Sequence, residues 1–108
     1  MSTSKIQAEA IALLLNDAGE TRLRSMMGEY LLYLDGVLIG QVNNGELFIK
    51  ATAAGEALAV GLTKEPPYPG AKPAFKVPAA RFNDSAWLTT FVQAARNDLA
   101  KPVTNRRH

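Results

Sequence analysis

Two tight turns constrain this chain more than any other feature. Asp35-Gly36 and Asn44-Gly45 each separate segments rich in apolar and β-branched residues. Both dipeptides tolerate the positive φ angles that two-residue hairpin turns require. They therefore predict a meander of three antiparallel strands. The predicted strands are Arg22–Leu34, with a bulge or bend at Gly28, followed by Val37–Asn43 and Glu46–Ala51.

The same turns predict which side chains share a face of the sheet. Side chains alternate along a strand, and the turn sets the register, so Leu34 is predicted opposite Val37 and Leu32 opposite Ile39. The face under the helices would hold Leu31, Tyr33, Leu38, Val42, Leu47, Ile49 and Ala51. The other face would hold Tyr30, Leu32, Leu34, Val37, Ile39 and Phe48, with Gln41 and Lys50 among them. A patch this apolar is typical of an interface, so we predict a homodimer through it; the alternative is that the proline-rich loop or a terminus covers it.

Helix signals flank the strands. Ser4 with Gln7 forms a capping-box pattern for a helix reaching Ala18, whose predicted buried face holds Ile6, Ala10, Leu13 and Leu14, widened by Ile11 and Leu15. Thr52 is the predicted cap of a helix over residues 53–60, and Asn83 or Asp84 that of an amphipathic closing helix. Pro73 and Pro78 bracket a predicted edge strand over residues 74–77, with a weakly signalled partner near Tyr68.

These elements predict an α+β fold of two layers. The order is α-β(3)-α-β(2)-α, with an antiparallel sheet and the helices packed on one face. A chain of 108 residues makes one domain, 1–108. We expect an ordered core of about residues 4–100 and a flexible basic tail over residues 101–108.

Composition argues against several kinds of chemistry. The chain has no cysteine, and its one histidine is His108, so thiol nucleophiles, Cys-ligated zinc and a histidine general base all lack their key residue. The glycines form no phosphate-binding pattern. We therefore expect no enzymatic activity, no cofactor and no metal. The sequence also shows no signal-peptide pattern and no apolar run of ~18 residues, which predicts a cytoplasmic protein that does not enter a membrane.

Positive charge is concentrated in two segments. The net charge is +2, but residues 64–81 carry four basic side chains against one acidic, and the tail carries three basic side chains. Arg22 and Arg24 project from one side of a strand, where they could clamp a phosphate or carboxylate. Solvated side chains are the alternative, so direct contact with nucleic acid stays open. The candidate anion or nucleic-acid contacts are Arg22, Arg24, Lys72, Lys76, Arg81, Arg106 and Arg107.

The segment from Arg24 to Lys50 resembles a known family. Its core, Met26-Met27-Gly28-Glu29-Tyr30-Leu31-Leu32-Tyr33-Leu34-Asp35-Gly36, is similar to the Met-Phe-Gly-Gly-Tyr-Gly-Leu-Tyr-x-x-Gly signature in the N-terminal domain of the TfoX/Sxy competence regulators. The Pro-Tyr-Pro loop at residues 67–69, the strand ending in Val77-Pro78 and the amphipathic closing helix also look like that family. Met27 and Glu29 depart from the signature, where the family has Phe and Gly.

The resemblance implies a secretion-chaperone-like arrangement and a cytoplasmic bacterial protein. Such a protein promotes expression of DNA-uptake genes together with a transcription activator, and it has neither enzymatic activity nor a cofactor. We therefore expect a non-enzymatic regulatory or protein-interaction domain, dimeric, with a possible partner in the transcription machinery. Two alternatives remain open: a chaperone-like domain that binds an extended peptide, and a small-molecule binder or enzyme that uses Tyr and Arg side chains.

Overall fold

A computed structural model of the protein describes residues 3–100; Arg106, Arg107 and the predicted tail lie outside the described residues. Three helices and six strands follow one another along the chain. They are α1 (Lys5–Leu14), β1 (Thr21–Met26), β2 (Glu29–Leu34), β3 (Val37–Asn43), β4 (Glu46–Lys50), α2 (Ala53–Leu58), β5 (Thr63–Glu65), β6 (Ala74–Val77) and α3 (Ser85–Leu99), with a 3-10 helix, Ala79–Asn83, before α3. The predicted α+β class with an antiparallel sheet is confirmed.

The first predicted strand is in fact a hairpin, so the order is α-β(4)-α-β(2)-α. The chain reverses at Met27-Gly28, with φ angles of 51° and 86°, and Met26 pairs with Glu29 across the turn. Gly28 had indicated a bulge or bend within one strand, and that prediction is wrong. A methionine in the left-handed region costs about 1–2 kcal/mol, so the residue type gave no signal of a turn.

The two predicted turns are confirmed. Asp35 and Gly36 have φ angles of 48° and 80°, and Asn44 and Gly45 have 54° and 73°. Leu34 pairs with Val37 across the first turn, and Asn43 pairs with Glu46 across the second. Each turn residue thus adopts the positive φ angle for which its type was singled out.

The sheet order is β1-β2-β3-β4-β6-β5, antiparallel throughout. β6 therefore lies inside the sheet, and the prediction that residues 74–77 form an edge strand is wrong. Pro73 and Pro78 flank β6 without occupying a ladder position, which leaves its hydrogen bonds on both sides intact. On this side of the sheet the edge strand is β5, which ends before Tyr68.

A bulge at Gly40 reverses the predicted faces for β2 and for the first half of β3, whereas Val42, Leu47 and Ile49 lie on the core face as predicted. The register shifts so that Leu32 pairs with Gly40 and not with Ile39, while Tyr30 pairs with Val42. A Cβ atom at Gly40 would lie 1.9 Å from the carbonyl oxygen of Phe48, so only glycine fits there. Because of this one extra residue, the side chains after Gly40 lie on the face opposite to the one that uninterrupted alternation from Val37 would give them.

The core lies between the sheet and the helices. The strand residues with no exposed surface are Leu32, Leu34, Ile39, Val42, Leu47 and Ile49, and they form one cluster with Leu15 just after α1 and with Leu88 and Phe91 of α3. Most of the face predicted to be free is therefore the core face. Conversely, Leu31, Tyr33 and Leu38, which were predicted to lie under the helices, are half-buried on the opposite face.

All three helix caps are confirmed. Ser4 Oγ accepts from the Gln7 N–H at 3.1 Å, and the Gln7 side chain accepts from the Ser4 N–H at 3.0 Å. Thr52 Oγ1 accepts from the Gly55 N–H, and Asp84 accepts from the Trp87 N–H. No helix within residues 3–100 has the length and apolar character needed to cross a bilayer.

Candidate interaction surfaces

The sheet turns one face away from the helices, here called the outer face. Strand alternation places on it Arg22, Arg24, Leu31, Tyr33, Leu38, Gln41, Phe48 and Lys50. Leu31, Tyr33 and Leu38 are half-buried on this face. The predicted pair Arg22 and Arg24 does project from one side of β1, beside these apolar residues.

The proline-rich loop, residues 66–73, covers one end of the outer face. Phe48 is only 4% exposed although it points away from the helices. Asn43, 8% exposed, donates from Nδ2 to the carbonyl oxygen of Pro67 at 3.1 Å and so fastens the loop to the sheet. The loop therefore covers the outer face only at its β4 end, and of the six residues that it was predicted to cover it covers Phe48 alone.

A groove runs between this loop and the rest of the outer face; we call it the outer groove. Its volume is about 610 Å³. Leu31, Leu38, Gln41 and Phe48 line it from the sheet, and Pro67 and Tyr68 line it from the loop. Lys50, Lys72 and the end of α3 at Leu99 complete its lining. The groove thus combines an apolar floor with cationic side chains at its margin.

The carboxylates beside the outer groove are already engaged. Lys76 Nζ lies 2.9 Å from Glu46 and 3.9 Å from Glu65, and the hydrogen bond with Glu46 raises the pKa of Lys76. In contrast, no carboxylate within residues 3–100 forms an ion pair with Arg24, Lys50 or Lys72. The unpaired charge around the outer groove is therefore positive.

Two of the predicted anion contacts have structural partners instead. Lys76 bridges two carboxylates, and Arg81 donates from its guanidinium to the carbonyl oxygen of Val60 at 2.6 Å. The guanidinium of Arg81 also lies over the Trp87 ring, 4.2 Å from its centroid. Arg22 is 3.9 Å from Glu20, both side chains being well exposed. Arg24 and Lys72 are left as cations free to meet an external anion.

The predicted interface residues are not together on a free surface. Leu32, Leu34 and Ile39 are fully buried in the core, and Tyr30 and Val37 pack against it half-buried. Phe48 alone of the six is on the outer face, under the proline-rich loop. The placement of these residues on a free face is wrong because the bulge was missed. Gly40 was the available signal, since glycine inside a strand often marks a bulge.

A second surface, which the sequence analysis missed, lies on α1. The helix buries Ala8, Ile11 and Ala12, and its C-cap residue Leu15 is fully buried. Ile11 and Leu15 of the predicted buried face are therefore confirmed, but the other four residues, Ile6, Ala10, Leu13 and Leu14, are exposed. We call these four residues the α1 patch. Ile6 is 80% exposed, Leu13 66% and Leu14 36%. A groove of about 750 Å³ beside the patch separates α1 from β1 and is lined in part by Leu13, Leu23 and Tyr30.

Exposed apolar side chains are concentrated at this end of the molecule. Of the seven large hydrophobic side chains exposed within residues 3–100, three belong to the α1 patch. Two more, Met26 and Met27, lie at the β1–β2 turn, which is tied to the start of α1 by the hydrogen bond from the Thr3 N–H to the Gly28 carbonyl. The remaining two are Val60 and Tyr68.

Within residues 3–100, no three His, Cys, Asp or Glu side chains are grouped so as to hold a metal ion.

The family model of the TfoX N-terminal domain matches residues 13–98, a span that contains all six strands, α2 and nearly all of α3. The chain belongs to the TfoX N-terminal domain family. No curated protein matches the sequence.

The two surfaces differ in how much of each lies within the residues that the family model matches. The outer groove lies almost entirely within residues 13–98, apart from Leu99. Ile6 and Ala10 of the α1 patch precede the matched span. The outer groove is thus built from the part of the chain that the family describes, whereas only two of the four residues of the α1 patch, Leu13 and Leu14, lie in that part.

Proposed function

We propose that this TfoX N-terminal domain is a non-enzymatic regulatory domain that acts in competence by binding proteins. Family membership supports a competence-related regulatory role. The observation that carries the mode of action is the exposure of Ile6 and Leu13 on a helix whose opposite face is already buried. On this proposal the protein works in the cytoplasm as a homodimer and contacts a protein of the transcription machinery.

Burial of the α1 patch against a partner would contribute favourable free energy to binding. Burying one Leu or Ile side chain contributes about 1.5–3 kcal/mol. Single exposed hydrophobic residues are ordinary, but grouped ones usually mark an interaction site. Ile6, Leu13 and Leu14 are grouped, since residues separated by seven or eight positions share one face of a helix.

The geometry of the α1 patch suits a second copy of the chain. If two α1 helices pack antiparallel across Ala10, Ile6 of each copy meets Leu13 and Leu14 of the other. Ala10 at the crossing point lets the two backbones approach closely, and the contact is symmetric, as most homodimer interfaces are.

Pairing through the free edge of β1 is less suitable. Joining two β1 edges in one antiparallel sheet would gather Arg22 and Arg24 of both copies on the same face. Like charges opposite one another destabilise strand pairing, and charged side chains on edge strands commonly prevent it. These arginines therefore favour association through α1 over association through the sheet edge.

Sedimentation velocity over about a hundredfold range of protein concentration tests this proposal. The wild-type chain is expected to shift from monomer to dimer as concentration rises, and Ile6→Glu/Leu13→Glu to stay monomeric with an unchanged far-UV circular dichroism spectrum. Val60→Glu is the matched control, because Val60 is 76% exposed but lies outside the patch. A wild-type chain that is monomeric throughout, or a Val60→Glu variant that loses association equally, would overturn the homodimer.

A second candidate function is peptide binding by a chaperone-like domain. The outer groove favours it, because an apolar cleft beside a sheet can hold an extended segment of another protein. This function adds a partner at a surface separate from α1, so it is compatible with the homodimer. The chemistry of that partner follows from the residues around the groove.

A further inference from the structure

We propose that the outer groove binds an extended peptide with an apolar centre and acidic residues on both sides of it. The proposal rests on the protein-binding function above and names the partner chemistry at a different surface. It depends on three properties of the groove: its apolar floor, an unused amide group and its unpaired cations.

The floor suits an apolar side chain. Leu31 and Leu38 present half-buried surface there, and Phe48 closes the bottom beneath the proline-rich loop. The loop adds the rings of Pro67 and Tyr68, which line the side of the groove opposite the sheet. Clefts that combine apolar walls with a few polar groups are the usual form of a binding site.

Gln41 supplies the polar group. Its side chain is half-buried in the groove, and its amide makes no hydrogen bond to any other part of residues 3–100. An amide has both donors and an acceptor, so it can bond the N–H and C=O groups of a peptide backbone. A backbone contact of this kind favours an extended chain over a helix, whose backbone groups are already paired.

The cations select the flanking residues of the peptide. Lys50 and Lys72 stand at one margin of the groove, and Arg24 stands across the sheet from it. Arg24, Leu31, Gln41 and Phe48 lie in register on four neighbouring strands, which places Arg24 about 14 Å from the strand of Phe48. An extended chain covers that distance with about four residues, so acidic residues on both sides of a short apolar segment can reach both margins.

The same observations disfavour other occupants. Phe48 is 4% exposed, so its ring is closed to the base stacking that binds single-stranded nucleic acid. A second copy of this chain would bring another set of unpaired cations to the groove. Residues 101–108 carry three basic and no acidic side chains, so they do not have the composition of the proposed peptide. The positive margin repels these residues as well.

Fluorescence anisotropy with a labelled peptide tests the proposal. The probe is a short peptide with leucines at its centre and glutamates on both sides. One matched peptide replaces the glutamates with lysines, and another replaces the leucines with serines. The wild-type chain is expected to bind the first peptide at least about tenfold more tightly than either matched peptide, and less tightly as salt rises.

Variants then locate the binding site. Lys50→Glu/Lys72→Glu is expected to weaken binding by about tenfold or more, and Gln41→Leu to weaken it measurably. Lys5→Glu is the control, because this exposed charge lies on α1, away from the outer groove. Removing residues 101–108 is expected to leave the affinity for the acidic peptide within about twofold of wild type or to lower it.

Several results would overturn the proposal. These are equal binding of the lysine peptide, an effect of Lys5→Glu as large as that of the groove variant, and oligothymidylate that competes with the probe at the groove. A rise of about tenfold in affinity after removal of residues 101–108 would assign the groove to that segment. If the peptide does not bind but the chain still dimerises in sedimentation velocity, the proposed function stands and only the groove assignment is wrong. If the peptide binds but the chain stays monomeric, the groove assignment stands and only the homodimer is wrong.

Discussion

At the scale of single residues, Gly40 decides more of this structure than any larger side chain. Its lack of a Cβ lets β3 approach the Phe48 carbonyl of β4 closely enough to form the bulge. The bulge puts Ile39 and Val42 on the same face of the sheet despite their odd spacing. The absence of a Cβ atom at Gly40 therefore determines which side chains of β2 and β3 lie in the core and which lie on the outer face.

Replacing Gly40 with alanine is expected to destabilise the fold by at least about 2 kcal/mol, because the new methyl group would meet backbone atoms that cannot move aside alone. Urea unfolding measures the change. Gly36→Ala is the control: Gly36 has a φ of 80° but open space around it, so about 1 kcal/mol of backbone strain is expected. A Gly40→Ala variant as stable as Gly36→Ala would contradict the role given to the bulge.

At the scale of elements, the proline-rich loop and the strand ladder form the outer groove together. Asn43, at the end of β3, holds the loop through the carbonyl of Pro67. β6, inserted between β4 and β5, carries the ion pairs of Lys76. The groove therefore depends on a loop contact and a strand order that bring together segments remote from one another in sequence.

Asn43→Ala is expected to free the loop from the sheet. Loss of this hydrogen bond should cost about 1–2 kcal/mol and speed hydrogen exchange in residues 66–73, including the Ala71 N–H that bonds to the Tyr68 carbonyl. Hydrogen exchange followed by mass spectrometry measures the effect. Asn83→Ala, at an exposed position in the 3-10 helix, should leave exchange in the loop unchanged. Equal exchange in both variants would mean that Asn43 does not fasten the loop.

Lys76 predicts a pH dependence confined to the alkaline range. Its pKa is raised above the ordinary value of 10.5 by the hydrogen bond with Glu46 and by the charges of Glu46 and Glu65. A raised pKa means that the stabilisation is complete below 10.5 and is lost as pH rises through the folded-state pKa. The difference in unfolding free energy between wild type and Lys76→Met should therefore be constant from pH 8 to about 10 and shrink above that. A difference that already disappears near neutral pH would argue against this assignment.

At the scale of the whole molecule, one core joins all the layers. Phe91 of α3 packs against Phe75 of β6 and stacks on Trp87, with ring centroids 5.7 and 4.8 Å apart. The indole N–H of Trp87 donates to the Leu58 carbonyl of α2 at 2.8 Å. Trp87 therefore reports on contacts among the helices and, through Phe91, on the sheet.

A single core predicts a single unfolding transition. The urea midpoint from Trp87 fluorescence should coincide with the midpoint from far-UV circular dichroism, because small domains with one core usually unfold in one step. Leu15→Ala, which truncates the fully buried side chain at the C-cap of α1, should lower both midpoints together and cost about 2–5 kcal/mol. Separate midpoints in either protein would show that α1 or the β1–β2 hairpin unfolds independently.

Much of the fold could be predicted from short-range signals. Asp35-Gly36, Asn44-Gly45 and the three helix caps act within a few residues, so residue type alone indicated the outcome. The α+β class, two reversals of the meander and all three helices followed from them. The candidate site was less predictable: Arg22, Arg24 and Lys72 were singled out as contacts, but the groove that relates them to one another was not.

What the sequence determined by itself is the set of elements and their turns, because capping hydrogen bonds and positive φ angles are local. The tertiary structure decided which faces those elements bury. Apolar residues occur on both sides of β2 and β3 and on both sides of α1, so periodicity could not distinguish core from surface. The choice depended on contacts between distant residues: Gly40 against Phe48, the loop bound by Asn43, and the helices packed over one face of the sheet.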